Sequence, residues 1–172
     1  MFNISPLQAI EIAGLTATTI YHYIASNREA KSLPPPGKLV TTTDGKTRHL
    51  YLQGNGEITV VVDSSLGGVE GYLLINELAK LTRVCVYDRA GYGWSQMSAK
   101  SRTSQQVVNE LHELLTEAQI LPPYILVGDS FGSYNMRLYA HQFPGEVRGL
   151  VLTDGLHEDG MLSLPRSMGL LK

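Results

Sequence analysis

The sequence has little of what marks disulfide-stabilised, nucleic-acid-binding or metal-binding proteins. It holds one cysteine, Cys85, so no internal disulfide can form, and the apolar run around this residue favours a place in the core. The net charge is −2 without runs of either sign, which argues against nucleic acid as a partner. The five histidines are not spaced as metal ligands, and Gly54-Asn55-Gly56 opens no helix that could bind a phosphate. We therefore expect no metal and no cofactor.

The N-terminal segment lacks both a basic leader and a long apolar run. Its uncharged span, from Ile12 to Asn27, is shorter than the ~20 apolar residues that cross a bilayer. Without a basic leader, we expect a cytoplasmic protein and no cleaved signal peptide. The apolar residues that fall near one face of a predicted helix are Leu7, Ile10, Gly14, Ala17, Tyr21 and Ile24. This helix, residues 7–25, either packs on the folded domain or lies at a membrane surface, and the sequence leaves both alternatives open.

A stiff spacer and a hairpin come next. Three prolines, Pro34 to Pro36, fix an extended backbone, so we interpret residues 1–37 as a hydrophobic helix followed by a spacer. Two strands, 39–43 and 47–53, are predicted to pair as a hairpin because Asp44-Gly45 accepts the positive φ angles of a tight turn.

From Ile58 onward, strands and helices alternate. Apolar runs predict strands at 58–62, 84–87, 124–127 and 147–153. Helices are predicted at 71–81, after a capping box of Thr103 and Gln106, and at 131–143. The side chains expected to face inward are Leu74, Leu78 and Leu81 in the first helix and Val107, Leu111, Leu114 and Ala118 in the second. This order predicts an α/β fold with a mostly parallel sheet and helices on both faces.

The most informative motif is Gly128-Asp129-Ser130-Phe131-Gly132, a G-x-S-x-G sequence between a predicted strand and a predicted helix. In that setting the motif is typical of a nucleophile elbow, in which the serine takes a sparsely allowed backbone conformation and its hydroxyl stands at the helix N-terminus. Gly128 and Gly132 are needed because side chains there would collide across so tight a turn. By itself, the motif also fits an ordinary turn.

Taken in order, these stretches resemble the α/β-hydrolase superfamily, in its esterase, lipase and aminopeptidase-like branch. The resemblance covers about residues 33–160 and rests on the spacer and hairpin, the loops 64–68 and 87–95, the elbow, and the segment 147–154. It implies that Ser130 attacks the acyl carbon of a small-molecule ester or amide. The backbone amides of Phe131 and Leu66 would form an oxyanion hole, worth ~3 kcal/mol per donor in comparable sites. Epoxide chemistry also occurs in this family and stays open.

The sequence departs from the family pattern at three positions. Ser65 stands where glycine is usual, which would crowd the approach of the Leu66 amide. Asp129 stands where histidine is commonest, although related esterases also carry aspartate. Ser133 replaces a glycine and is small enough to pack.

The resemblance leaves the acid and the base of a catalytic triad incompletely assigned. Some members carry the acid at the end of the strand 147–153, which here implies Asp154, and the alternative is that Asp154 only caps the loop that follows. His157 has little reach to meet Ser130 and Asp154 at once. Residues 161–172 look like the start of a truncated cap, so we expect the fold to lack its last strands and its histidine.

Two functions therefore stay open. In the first, residues 38–160 form the N-terminal part of a serine hydrolase domain that is incomplete, and weakly active or inactive as it stands. In the second, the chain is a non-catalytic remnant or binding module that uses its N-terminal helix on a membrane or partner. In either case, the strand 147–153 would be an exposed edge that favours self-association.

Overall fold

A computed structural model of the protein describes residues 5–66, 68 and 70–155, which fall into two compact units, 1–35 and 36–172. His157 and residues 161–172, the predicted start of a cap, lie outside the described residues. The helices are α1 (Pro6–Ser32), α2 (Glu70–Leu78), α3 (Ser104–Glu117) and α4 (Phe131–Gln142), and the strands are β1 (Lys38–Thr41), β2 (Thr47–Gln53), β3 (Thr59–Asp63), β4 (Arg83–Tyr87), β5 (Tyr124–Asp129) and β6 (Val147–Thr153).

The first unit consists of α1. A complete capping box starts this helix, since Ser5 Oγ accepts from the Gln8 amide and Gln8 Oε1 accepts from the Ser5 amide. The predicted helix is confirmed and extends from Pro6 to Ser32. Apolar residues outside the predicted face, such as Ile12 and Leu15, are also exposed. No helix in the described part of the chain is long and apolar enough to span a membrane.

The second unit is built on a six-stranded sheet in the order β1-β2-β4-β3-β5-β6. The first two pairs are antiparallel and the remaining three are parallel. The predicted α/β fold with a mostly parallel sheet is therefore confirmed. Every residue of the central strand β3 is buried, as its β-branched run predicts. At the described edge of the sheet, β6 exposes between 39% and 48% of the side chains at Leu150, Val151 and Leu152.

The predicted hairpin is also confirmed, although β1 ends at Thr41, two residues before the predicted end. Gly45 has a φ of 73°, and the Asp44 carboxylate accepts from the Lys46 amide at 2.9 Å and from Thr42 Oγ1 at 2.7 Å. These local bonds set the register in which Thr41 pairs with Thr47.

Helices cover both faces of the sheet, as predicted. On one face, α3 and α4 pack on a core that includes Val61, Leu126 and Tyr139. On the other face, α2 inserts Ile75 against Val60, Val62, Val84 and Val86. Burial of each large aliphatic side chain contributes ~1.5–3 kcal/mol, so both layers stabilise the sheet.

The prediction that Leu74 and Leu81 face inward is wrong. Leu74 is 48% exposed and Leu81 is 83% exposed, whereas Ile75 is 1% exposed. The reason lies at Gly71, where a Cβ would approach Val86 Cγ1 to 2.9 Å. Because the helix touches β4 at this glycine, Ile75, one turn later, and Leu78, two turns later, face the sheet, and Leu81 falls beyond the helix end.

The predicted buried face of α3 is confirmed for Val107, Leu111 and Leu114, and Ala118 packs against the same core. The capping box is only half formed. Thr103 Oγ1 accepts from the Gln106 amide at 3.2 Å, but Gln106 Nε2 donates to Glu110 instead of turning back to the helix start.

Candidate active site

Ser130 occupies the single residue between β5 and α4. Its φ of 48° and ψ of −112° are rare for a residue with a side chain and cost roughly 1–3 kcal/mol. The surrounding backbone holds this conformation, because the Ser130 amide donates to the Thr153 carbonyl at 3.0 Å and the Ser133 amide donates to the Ser130 carbonyl at 3.0 Å. The sharp turn from strand to helix at Ser130 is the geometry that the G-x-S-x-G motif predicts.

The two glycines of the motif are sterically required. A Cβ on Gly128 would lie 2.8 Å from the Gly132 carbonyl oxygen and from Ser133 Cα. A Cβ on Gly132 would overlap the carbonyl group of Asp63, at the end of β3. The close approach of α4 to β3 and β5 therefore depends on hydrogen at both positions.

Two of the three residues that depart from the family pattern, Ser133 and Asp129, form hydrogen bonds that stabilise the elbow. Ser133 is fully buried and donates to the Gly128 carbonyl at 3.1 Å, which confirms that serine packs at this position. The Asp129 carboxylate accepts from Thr153 Oγ1 at 2.8 Å, so it joins the end of β5 to the end of β6. The hydroxyl of Ser65 donates to the carboxylate of Glu70, at the first residue of α2.

Leu66 and Phe131, the residues whose amides are expected to face a substrate oxygen, line one open cavity of about 310 Å³. Leu66 lies three residues beyond the end of β3, and Phe131 is the first residue of α4. Tyr92, Met97 and Val107 supply further apolar side chains to the wall. The first amides of a helix have no partner within the helix and carry its positive dipole end, so this end of α4 favours negative charge.

A buried polar cluster, Asp63, Arg89 and Asn135, adjoins this cavity, and Arg89 is part of the cavity wall. The Asp63 carboxylate accepts from Asn135 Nδ2 at 2.7 Å and lies 3.6 Å from Arg89 Nε. Arg89 Nη2 donates to the carbonyl oxygens of Ser64, at 3.0 Å, and of Ser65. Burial raises the pKa of Asp63, whereas Arg89 and Asn135 act in the opposite direction.

The sequence does not predict this cluster, although the loop 87–95 that carries Arg89 is among the stretches on which the resemblance rests. Two buried charged residues, Asp88 and Arg89, stand side by side there. Their partners are distant in sequence: Asn135 is 72 residues from Asp63. No spacing rule links such residues, so only the fold could bring them together.

Asp154 directly follows β6 and carries an exposed side chain on a backbone with a φ of 46°. The carbonyl of its neighbour Thr153 accepts a hydrogen bond from the Ser130 amide. The backbones at Ser130 and Asp154 are therefore close. The role of Asp154 as an acid stays a prediction, and His157 lies outside the described residues.

None of the histidines described in the second unit is bonded to Ser130. His49 is completely buried, with Nδ1 3.0 Å from Asp88 Oδ2 and Nε2 accepting from the Gly37 amide at 3.1 Å. His112 Nε2 lies 3.1 Å from Glu146 Oε1, and its ring stacks on Phe143. His141 is exposed in the last turn of α4. Over residues 5–66, 68 and 70–155, no three His, Cys, Asp or Glu residues are grouped to hold a metal ion.

Comparison with known proteins identifies the family to which this fold belongs. Residues 50–171 match the model of the family described as alpha/beta hydrolase fold. The chain therefore belongs to the alpha/beta hydrolase fold family. Among curated relatives, it is 30% identical over 152 residues to YbdG, an uncharacterized protein of Bacillus subtilis, covering 86% of this chain and 46% of that protein.

Solved structures share the fold. The chain is similar to an esterase from Exiguobacterium antarcticum, with a TM-score of 0.62 and 20% identity over 72% of this chain and 49% of that one. It is also similar to Est816, described as an N-acyl homoserine lactone degrading enzyme, with a TM-score of 0.67 and 19% identity over 77% of this chain and 51% of that one. The chain thus spans about half the length of each of these three proteins.

Proposed function

We propose that the chain carries the nucleophile and oxyanion hole of a serine hydrolase that transfers an acyl group to water through Ser130. The observation that carries the proposal is the backbone of Ser130, with a φ of 48° between β5 and α4. A serine in an ordinary turn or helix cap has no need of this conformation, which costs free energy. At the end of a strand in a parallel sheet, it presents the hydroxyl where ligands of α/β folds collect.

In the proposed reaction, Ser130 Oγ attacks the acyl carbon and its proton passes to a general base. The carbonyl oxygen becomes an oxyanion, which accepts hydrogen bonds from the amides of Phe131 and Leu66. Collapse of this intermediate breaks the bond to the leaving alcohol or amine, which takes the proton, and leaves an acyl-enzyme. Water then attacks the ester carbon, and the same transfers in reverse restore Ser130 and release the acid.

The general base is the part of the reaction that the described histidines do not supply. His49 uses Nε2 as an acceptor for Gly37 and is completely buried, so it has no nitrogen available to Ser130. We therefore expect the base to be a histidine other than those described in the second unit. We keep Asp154 as the candidate acid because it follows the residue that bonds to the Ser130 amide. Without a positioned base, turnover would fall to the roughly 10³–10⁴-fold over water that oxyanion stabilisation and binding alone provide.

The size of the cavity beside Leu66 and Phe131 favours the proposal of a small acyl substrate. Its volume of about 310 Å³ falls at the lower end of the range for small-molecule sites, and its wall includes Tyr92, Met97 and Val107. These side chains favour an apolar acyl group of modest size, and Arg89 and Arg102, which also line the cavity, add positive charge to its wall. The proposal covers both esters and amides.

Labelling with a fluorophosphonate tests the proposal, because this probe reacts with an activated serine and needs no knowledge of the substrate. We expect one label per chain on Ser130, lost in Ser130→Ala. Ser101→Ala is the matched control, since Ser101 is an exposed serine in the loop before α3, and this variant should label like the wild type. Circular dichroism would establish that each variant is folded. A folded wild-type chain that stays unlabelled would instead support a binding module without nucleophilic activity.

A further inference from the structure

We propose that Arg89 is a positioning residue of the oxyanion hole. By binding the carbonyl oxygen of Ser65, its guanidinium aims the amide of Leu66 at the carbonyl oxygen of the substrate. This inference rests on the proposed function and deepens it, since it assigns a control point for one of the two oxyanion donors.

The geometry of a single peptide group carries the first step. The carbonyl of Ser65 and the amide N–H of Leu66 belong to the same planar unit, and in a trans peptide they point in opposite directions. Arg89 Nη2 donates to the Ser65 carbonyl and, at 3.0 Å, to that of Ser64. A group that fixes the direction of this carbonyl therefore also fixes the direction of the Leu66 N–H.

The charge on the bound group adds a second effect. A cationic donor on a carbonyl oxygen polarises the peptide group, which makes its N–H a stronger donor. Arg89 is only 5% exposed, so water screens its charge weakly at this distance. The Leu66 amide would thus meet a developing oxyanion already oriented and already polarised, which is the kind of preorganisation that stabilises a transition state.

Arg89 itself is held from several sides. Asp63 Oδ1 lies 3.6 Å from Arg89 Nε, and the guanidinium carbon lies 5.0 Å and 5.4 Å from the ring centroids of Tyr92 and Phe131. Phe131 is the residue whose amide is the other proposed oxyanion donor. The guanidinium is therefore in contact with both donor-bearing segments, through a carbonyl on one side and an aromatic ring on the other.

Asn135 links this arrangement to the helix that starts at the elbow. It is fully buried on α4, and its Nδ2 donates to Asp63 Oδ2 at 2.7 Å. A chain of three contacts thus runs from α4 through Asp63 and Arg89 to the loop that holds Leu66. It keeps the two donors in register, because any shift of α4 relative to β3 would strain these buried bonds.

Other bonds hold the loop in place without Arg89, which makes the inference testable. The Ser64 hydroxyl accepts from the Gly71 amide at 3.0 Å, and the Ser65 hydroxyl donates to Glu70. Both fix the loop to the start of α2. Arg89→Lys keeps a positive charge beside Asp63 but loses Nη2, the atom that donates to both carbonyls. The Ser65 carbonyl then keeps only the bond from the Gly68 amide, at 3.2 Å, so the Leu66 amide is aimed less firmly while these anchors stay.

The experiment measures the second-order rate of fluorophosphonate labelling of Ser130. We expect Arg89→Lys to be ~10–100-fold slower than the wild type, a loss somewhat smaller than that on deleting a whole oxyanion donor. The matched control is Arg83→Lys, because Arg83 begins β4 at the other end of the strand and donates through Nε to Thr59 Oγ1. It should label at the wild-type rate. The double variant Asp63→Asn/Arg89→Met, which leaves no uncompensated buried charge, should be at least as slow as Arg89→Lys.

A second measurement separates positioning from simple loss of structure and from failure of the proposed function. In ¹⁵N–¹H spectra, the Leu66 amide of Arg89→Lys should move upfield, whereas a remote core amide such as that of Leu114 should stay in place. Folded Arg89→Lys that labels at the wild-type rate would overturn the inference, as would a rate that falls only with the folded fraction. If the wild type is not labelled, the proposed function fails. The Leu66 resonance then decides alone whether Arg89 orients this amide, and an unmoved resonance would refute it.

Discussion

Two buried polar clusters stand at the carboxyl ends of neighbouring strands, and each is centred on an aspartate. The site cluster consists of Asp63, Arg89 and Asn135, at the end of β3. The hairpin cluster consists of Asp88, His49 and Tyr72, just after β4. Judged by residue type alone, the cluster with a histidine and an aspartate would be taken as the catalytic one.

The bonds that leave each cluster reverse that judgement. In the hairpin cluster, His49 Nε2 accepts from the Gly37 amide, and Asp88 accepts from Tyr72 and from the Trp94 amide. These bonds join the hairpin, α2 and the loop after β4, so the cluster is structural. In the site cluster, the bonds of Arg89 reach the carbonyls of the loop that holds Leu66. The site cluster is therefore the one whose bonds end beside Leu66, a proposed oxyanion donor.

The largest expected effect comes from breaking the hairpin cluster with His49→Ala. Asp88 would lose a buried partner at 3.0 Å, and the Gly37 amide would lose its acceptor. Each buried polar group that loses a hydrogen-bond partner lowers the free energy of unfolding by about 1–3 kcal/mol, and the cavity left by the ring adds to this loss. Urea denaturation measures this loss, with the exposed His141→Ala as control. The folded fraction of His49→Ala should still label at Ser130 at the wild-type rate. A slower rate would mean that the hairpin cluster also serves the site.

The next prediction compares one glycine beside each cluster. In Gly132→Ala the new methyl group would overlap the backbone carbonyl of Asp63, which cannot move without displacing the loop that holds Leu66. We expect the free energy of unfolding to fall by about 1–3 kcal/mol and Ser130 to be labelled more slowly. In Gly93→Ala the methyl group would overlap the carboxylate of Asp88, on a backbone with a φ of 45°. This variant should lose stability without a change in labelling.

Gly145→Ala is the control for both glycine variants, because no atom lies within 4 Å of the position of its Cβ. Melting temperatures and labelling rates would be measured together for the three variants. Equal labelling rates in Gly132→Ala and Gly93→Ala would remove the distinction between a site cluster and a structural cluster.

How far the sequence predicts this arrangement depends on the range of the interactions involved. Five consecutive residues signal the turn at Ser130, and the hairpin turn at Asp44-Gly45 is also local, so both could be predicted. The inward face of α2 could not, because it depends on contact between Gly71 and Val86 on another element. The site cluster could not either, since its members meet only when β3, β4 and α4 are assembled.

Cys85 provides the smallest expected effect, and it tests the comparison at a buried ionisable group that belongs to neither cluster. It lies inside β4, whose carboxyl end leads into Asp88 and Arg89, and burial raises the pKa of its thiol to about 12 from 9.0. In the unfolded chain the thiol ionises near its ordinary value, so above about pH 9 the unfolded state binds fewer protons than the folded state. Stability is therefore lost as the pH rises from about 9 towards 12, by about 1 kcal/mol between pH 8 and 10.

Urea denaturation at pH 8 and pH 10 measures this dependence, and Cys85→Ala is the control in which the cysteine contribution is removed. The difference in slope between the two proteins isolates the thiol from the tyrosines and lysines that titrate in the same range. The thiol of the folded wild type should also resist alkylation at pH 8 and react on unfolding. Rapid alkylation of the folded protein, or equal slopes, would mean that β4 opens to solvent. The strand that positions Arg89 would then be too mobile to aim the amide of Leu66.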